Sequence, residues 1–144
     1  MTYAQHREII DCDSHVIELD DFLRNAASAA DLELLPAMDD QTELPIPRDR
    51  YDAGVELFEQ RKVDAAVREA CEKEIVSNNM GGWARIGAFD PQERSHAMDI
   101  FGYKKQWVLP TFSFHQVAHA EDPKVLEAGA RTLNKAMGDF CAHD

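Results

Sequence analysis

Asp11, Asp13 and His15 stand at alternate positions in REIIDCDSHVIE, residues 7–18. Two isoleucines, Ile9 and Ile10, precede them, so the stretch reads as a strand over 8–13 that ends in polar side chains. Side chains alternate along a strand. If the extended backbone continues through Ser14, Asp11, Asp13 and His15 share one face, and Ile10, Cys12 and Ser14 take the other. A carboxylate and an imidazole two residues apart can reach one cation, provided further ligands arrive from elsewhere. In α/β proteins the C-terminal ends of the strands carry the chemistry; Asp13 and His15 would lie there, with Asp11 a layer deeper. The plainer alternative is a polar turn held by local Asx hydrogen bonds.

Two other chemistries compete for these residues. D-x-D behind an apolar strand also marks haloacid-dehalogenase-like phosphatases, with Asp11 as nucleophile and Asp13 as general acid/base. Such proteins want a longer apolar strand and a Thr or Val where His15 stands, and no later lysine and acidic pair of that kind is found. A calcium-binding EF-hand loop fails sooner, because its turn glycine would be Val16 and its closing glutamate Phe22. Elsewhere, HQVAH places His115 and His119 at the i, i+4 spacing of a zinc-protease helix. Gln116 occupies the position of the general-base glutamate, so protease chemistry is not supported and a plain loop is the simpler reading. His6, His96 and His143 read as surface residues, and Trp83 as a tryptophan at the edge of a core.

The elements that must position these groups follow from caps and periodicity. A short helical piece is expected near 20–25, and the proline- and acid-rich stretch 34–50 reads as loop. Over 51–76 Val63, Ala66, Val67, Ala70 and Cys71 recur at helical spacing among charges, as in a solvated outer helix or an oligomer contact. Residues 78–82 should stop that helix. Asp90 then reads as an N-cap with Pro91 at the first helical position and Glu93 completing a capping box, for a helix ending near Gly102. A second buried strand is expected over 106–111. Asp122 and Pro123 open a last helix running to about Cys141, with Val125, Leu126, Ala130, Leu133, Ala136, Met137 and Phe140 as its apolar stripe. Strand, helices, strand, helix is the grammar of an α/β fold with parallel strands. Two strands alone cannot shield both faces of a parallel sheet.

Composition bounds the partners. The chain has 144 residues, 44% of them apolar, which suits one ordinary globular domain. Acids outnumber Lys plus Arg by 27 to 15, a formal charge of -12 that repels nucleic-acid phosphate and anionic membranes. No apolar run approaches the roughly 18 residues of a membrane span, and the first residues lack the order of a signal peptide. Cys12, Cys71 and Cys141 are scattered and odd in number, without C-x-x-C, as in a reduced cytoplasmic protein.

In order, IIDCDSHVIE, FDPQERSHAMDIFGYKKQWVLPT and ARTLNKAMGDFC resemble the N-terminal part of the amidohydrolase-related family. These are metal-dependent TIM-barrel enzymes that include aminocarboxymuconate-semialdehyde decarboxylase. In that family strand one ends in D-x-H-x-H or an acid-substituted form, and an N-capped helix leads to a strand ending near PT. The resemblance spans nearly the whole chain in pieces, with 19–80 matching only as a helical insertion. It implies that Asp13 and His15 take the places of the first and second metal-binding histidines, and that Asp11 is the acid preceding them. Asp13 for histidine is a departure from the commonest pattern, and it widens the metal from zinc toward manganese or magnesium. His115 and His119 would line the substrate pocket.

A whole barrel takes roughly 250 residues in eight strand-helix units, and this chain supplies about two. The resemblance therefore implies a single partial domain over 1–144, the N-terminal part of a (β/α)8 barrel and a fragment of its parent. The parent would be a divalent-metal-dependent hydrolase or non-oxidative decarboxylase acting on a small organic acid or amide, and the chain alone would be inactive. Homo-oligomerisation is left open. A non-catalytic helical interaction protein is the alternative from another class; a pure helical bundle would favour it, adjacent parallel strands the enzyme.

Overall fold

Strand one is anchored at its far end. Val16 is wholly buried and Ile17, just beyond it, nearly so, whereas Ile10 is 55% exposed. The strand accordingly runs over Ile10–Val16 (β1), later than the isoleucine pair suggests. The second strand is Lys105–Pro110 (β2), close to the expected bounds, but it is not the buried strand expected: none of its residues is buried and Trp107 is 69% exposed. The computed structural model describes residues 2–36, 46–75 and 82–143, and β1 and β2 pair there as a two-stranded parallel sheet in a mostly helical α/β chain. Most of the expected loop over 34–50 and most of the helix stop at 78–82 lie outside the described residues.

The chain divides into two compact units, each built from two separated stretches: Met1–Ile17 with Ile46–Leu109, and Glu18–Pro45 with Pro110–Asp144. In the second, helices Phe22–Ala26 (α1) and Ala29–Leu32 (α2) precede the long gap in sequence. In the first, the helix expected over 51–76 is two helices, Arg48–Val63 (α3) and Ala65–Ile75 (α4). Asp64 separates them. Its backbone is extended and its Oδ1 accepts from the amides of Ala66 and Val67, so the side chain starts a new helix where the old one stops. The break disrupts the expected stripe: Val63 is 87% exposed. Nor is α3 merely a solvated helix, since it buries Tyr51, Phe58 and Arg61.

Helix Pro91–Phe101 (α5) has the expected ends. The Asp90 carboxylate accepts from the Glu93 amide at 2.9 Å. Gly102 closes the helix at φ +72°, a left-handed conformation that glycine adopts without steric cost. The capping box is only half made. Glu93 turns away from Asp90 and takes both its oxygens to Arg61. Ala97 and Phe101 are the residues α5 buries, in a cluster with Ile75 and Ile86.

The second unit is completed by Ser113–Ala118 (α6) and Pro123–Cys141 (α7). Asp122 caps α7 through the Lys124 amide, as expected. Its buried face is rotated from the expected stripe: Ala128, Gly129, Thr132, Ala136 and Phe140 are buried, while Leu126 and Ala130 are exposed. Gly129 explains the rotation. A Cβ there would lie 2.5 Å from Val117, so only glycine lets α6 approach α7 this closely. Arg131 on α7 pairs with Asp31 on α2 and holds that carboxyl below its ordinary value.

Gly129→Ala is therefore expected to destabilise. Alanine gains up to about 1 kcal/mol over glycine in a helix, but overpacking costs about 1–3 kcal/mol, and the clash should win. A lowered urea midpoint that recovers in Gly129→Ala/Val117→Ala checks this; an unchanged midpoint in the single variant refutes it.

Candidate functional site

The parallel β1–β2 pair opens onto a cleft of about 380 Å³ whose lining lies entirely within the first unit. Strand one presents Asp11, Asp13 and His15 to it, facing the segment 83–88 and one side of α5. Asp13 Oδ1 and His15 Nε2 lie 3.7 Å apart, on one face near the C-terminal end of β1. The Asp13 side chain is 92% exposed. Both oxygens of Asp11 are engaged, Oδ1 by the Asp13 amide at 3.2 Å and Oδ2 by the Gln106 side chain at 3.1 Å. That is the arrangement of a positioning group.

Arg94 organises the strand from below. Its guanidinium donates to Ser14 Oγ and to the His15 carbonyl, each at 2.5 Å, with a longer bond to Gln106 Oε1. These bonds hold the backbone under His15, so the imidazole starts from a fixed base. The signal was present in the sequence: Arg94 is three residues before Ala97 and seven before Phe101, a cation on the buried face of α5.

The opposite wall is fixed by a second buried arginine. Arg61 is completely buried, and its guanidinium donates to the carbonyls of Ala84 and Arg85 and to both oxygens of Glu93. Glu93 also accepts from the Gly87 amide. An α3 side chain thereby clamps the segment that carries Trp83, Arg85 and Ile86. Trp83 packs on Gly54 and meets Phe89 edge-on at 6.2 Å. Tyr103 stacks on Phe101 at 4.9 Å. Burial, reinforced by the negative charge of Asp11, pushes the Tyr103 hydroxyl above its ordinary pKa, so it remains a proton donor.

As a metal site the strand offers two donors. Among the described residues no group of three or more His, Cys, Asp and Glu side chains could hold an ion. His115 and His119 are in the second unit, in and just after helix α6 where a loop was expected. Their rings stack 5.9 Å apart beside a separate hollow lined by Leu35 and Asp122. His96 pairs with Glu72 at 2.8 Å, half-exposed, and draws that carboxyl below its ordinary value. No helix among the described residues is long and apolar enough to cross a membrane. No protein-family model matches the chain, and no curated protein or solved structure does.

Proposed function

We propose that the chain carries the strand-one ligands of a divalent-metal-dependent hydrolase or non-oxidative decarboxylase of the amidohydrolase-related kind. On this reading β1, α5 and β2 belong to the beginning of a (β/α)8 barrel. The observation that carries it is the pairing of an exposed Asp13 carboxylate with His15, 3.7 Å apart, near the C-terminal end of a strand with a parallel neighbour. The donor chemistry fits zinc, manganese or magnesium, with Asp13 and His15 as the holding residues and Asp11 fixing the backbone amide of Asp13. A bound ion would polarise the substrate or activate a water. Catalytic metal sites use about three protein ligands, so the remaining donors would come from outside the described residues. Arg94 keeps His15 in register, and the cleft admits a small organic acid or amide.

The expected result is weak binding of zinc or manganese to the purified chain, lost in Asp13→Ala and in His15→Ala, with no turnover. Calorimetric titration checks it. Metal binding that persists unchanged in both variants, or none at all, would remove the reading.

A further inference from the structure

We propose that His115 and His119 form a second metal site, separate from strand one, that takes nickel(II) or copper(II) through both imidazoles. The two rings lie 5.9 Å apart and within 25° of parallel. An imidazole nitrogen binds such an ion at about 2 Å, which puts each ring centre roughly 3 Å from the metal. Two rings on one ion therefore lie roughly 4–6 Å apart, and this pair comes within that reach by small side-chain rotations. Both residues are exposed, and neither imidazole has a hydrogen bond or ion pair among the described residues.

A free helix of six residues frays, and its side chains have no fixed spacing. Helix α6 is pinned instead. The Glu18 carboxylate accepts from the amides of Phe112 and Ser113 at its start. Gln116 Nε2 donates to the Pro36 carbonyl at 2.6 Å, and Val117 packs on Gly129. These attachments turn one side of the helix inward and hold both histidines on the outer side, beside a hollow of about 510 Å³. Glu121 and Asp122 line the same hollow, and their charge favours a cation there.

The donor count selects the ion. No third His, Cys, Asp or Glu among the described residues completes a set with the two imidazoles. Zinc sites hold three or four protein ligands. Nickel and copper accept two nitrogens with water oxygens completing a square or tetragonal shell, and they bind nitrogen donors far more tightly than manganese does. Gln116 stands where a zinc protease has its general base, but it is buried and bonded to Pro36, so the pair offers ligation without that chemistry.

Nickel chloride is the probe, because it does not oxidise the three free thiols. Calorimetry should show one nickel per chain, and amide NMR should show paramagnetic broadening centred on residues 113–122. His115→Gln and His119→Gln should each weaken binding roughly tenfold or more, since the second donor acts at high effective concentration only while the first is bound. Both side chains are exposed, so both variants should keep the parent's thermal melt. Asp13→Ala and Cys141→Ser should bind nickel as the parent does. Broadening centred on β1, unchanged affinity in either histidine variant, loss of binding in Asp13→Ala or Cys141→Ser, or no binding at roughly millimolar nickel would overturn the site. Manganese titrated in parallel reads the strand-one pair, so either site can fail while the other stands.

Discussion

Arg61→Ala is expected to lose about 3–5 kcal/mol, the range for breaking a buried ion pair by removing one partner. Arg61 is 0% exposed and Glu93 15%, so solvent screens the pair little. Truncation would leave the Glu93 carboxylate with the Gly87 and Asp90-cap environment and no cation, and would strip the carbonyls of Ala84 and Arg85 of their donor. A small domain has only about 5–15 kcal/mol in total, so the variant should unfold at much lower urea. The pair as a whole is a different quantity. Desolvating two charges offsets much of their attraction, and Arg61→Met/Glu93→Met should recover a large part of the loss. Equal midpoints for Arg61→Ala and the double variant would show that the charge left behind is not the main cost.

Glu18→Ala is expected to be nearly as damaging, for a different reason. The carboxylate is fully buried and accepts from three successive backbone amides: Thr111 and Ser113 on Oε1, Phe112 on Oε2. Each buried donor left without an acceptor costs about 1–3 kcal/mol, so a total of about 3 kcal/mol or more follows. Glu18→Gln preserves one acceptor oxygen but brings a second donor group to face the amides, and should recover little. Hydrogen exchange at Phe112 and Ser113 provides the local readout: both amides should lose protection in Glu18→Ala, and retained protection would count against the account.

Capping chemistry made much of this legible. Asp90, Pro91 and Gly102, then Asp122 and Pro123, set helix ends that needed only local hydrogen bonds, and the structure keeps them. The alternation of Asp11, Asp13 and His15 likewise depends on strand geometry alone. Long-range choices were not legible. Glu93 could cap its own helix or pair with Arg61, and which it does depends on a residue 32 positions away. The stripe of α7 was read from apolarity, but a glycine against Val117 decided which side goes in. Arg61 and Arg94 look like surface charge in a chain of this composition. Their roles depend on burial, which periodicity indicated only where an arginine shared a face with Phe58 or with Phe101.

The two interleaved units impose an order on synthesis. Glu18 leaves the ribosome about 93 residues before the first amide it will bind, and closing a loop of that length costs about 4 kcal/mol of chain entropy. Leu23 and Ala26 wait likewise for Val117 and Ala136. The first unit can close once Leu109 has emerged; the second cannot begin to bury its apolar residues until α6 and α7 follow. Through most of translation, then, the segment with α1 and α2 is a tethered, apolar guest with no host. A nascent chain stalled before α7 would expose it to chaperones and proteases while the wall of the cleft was already in place.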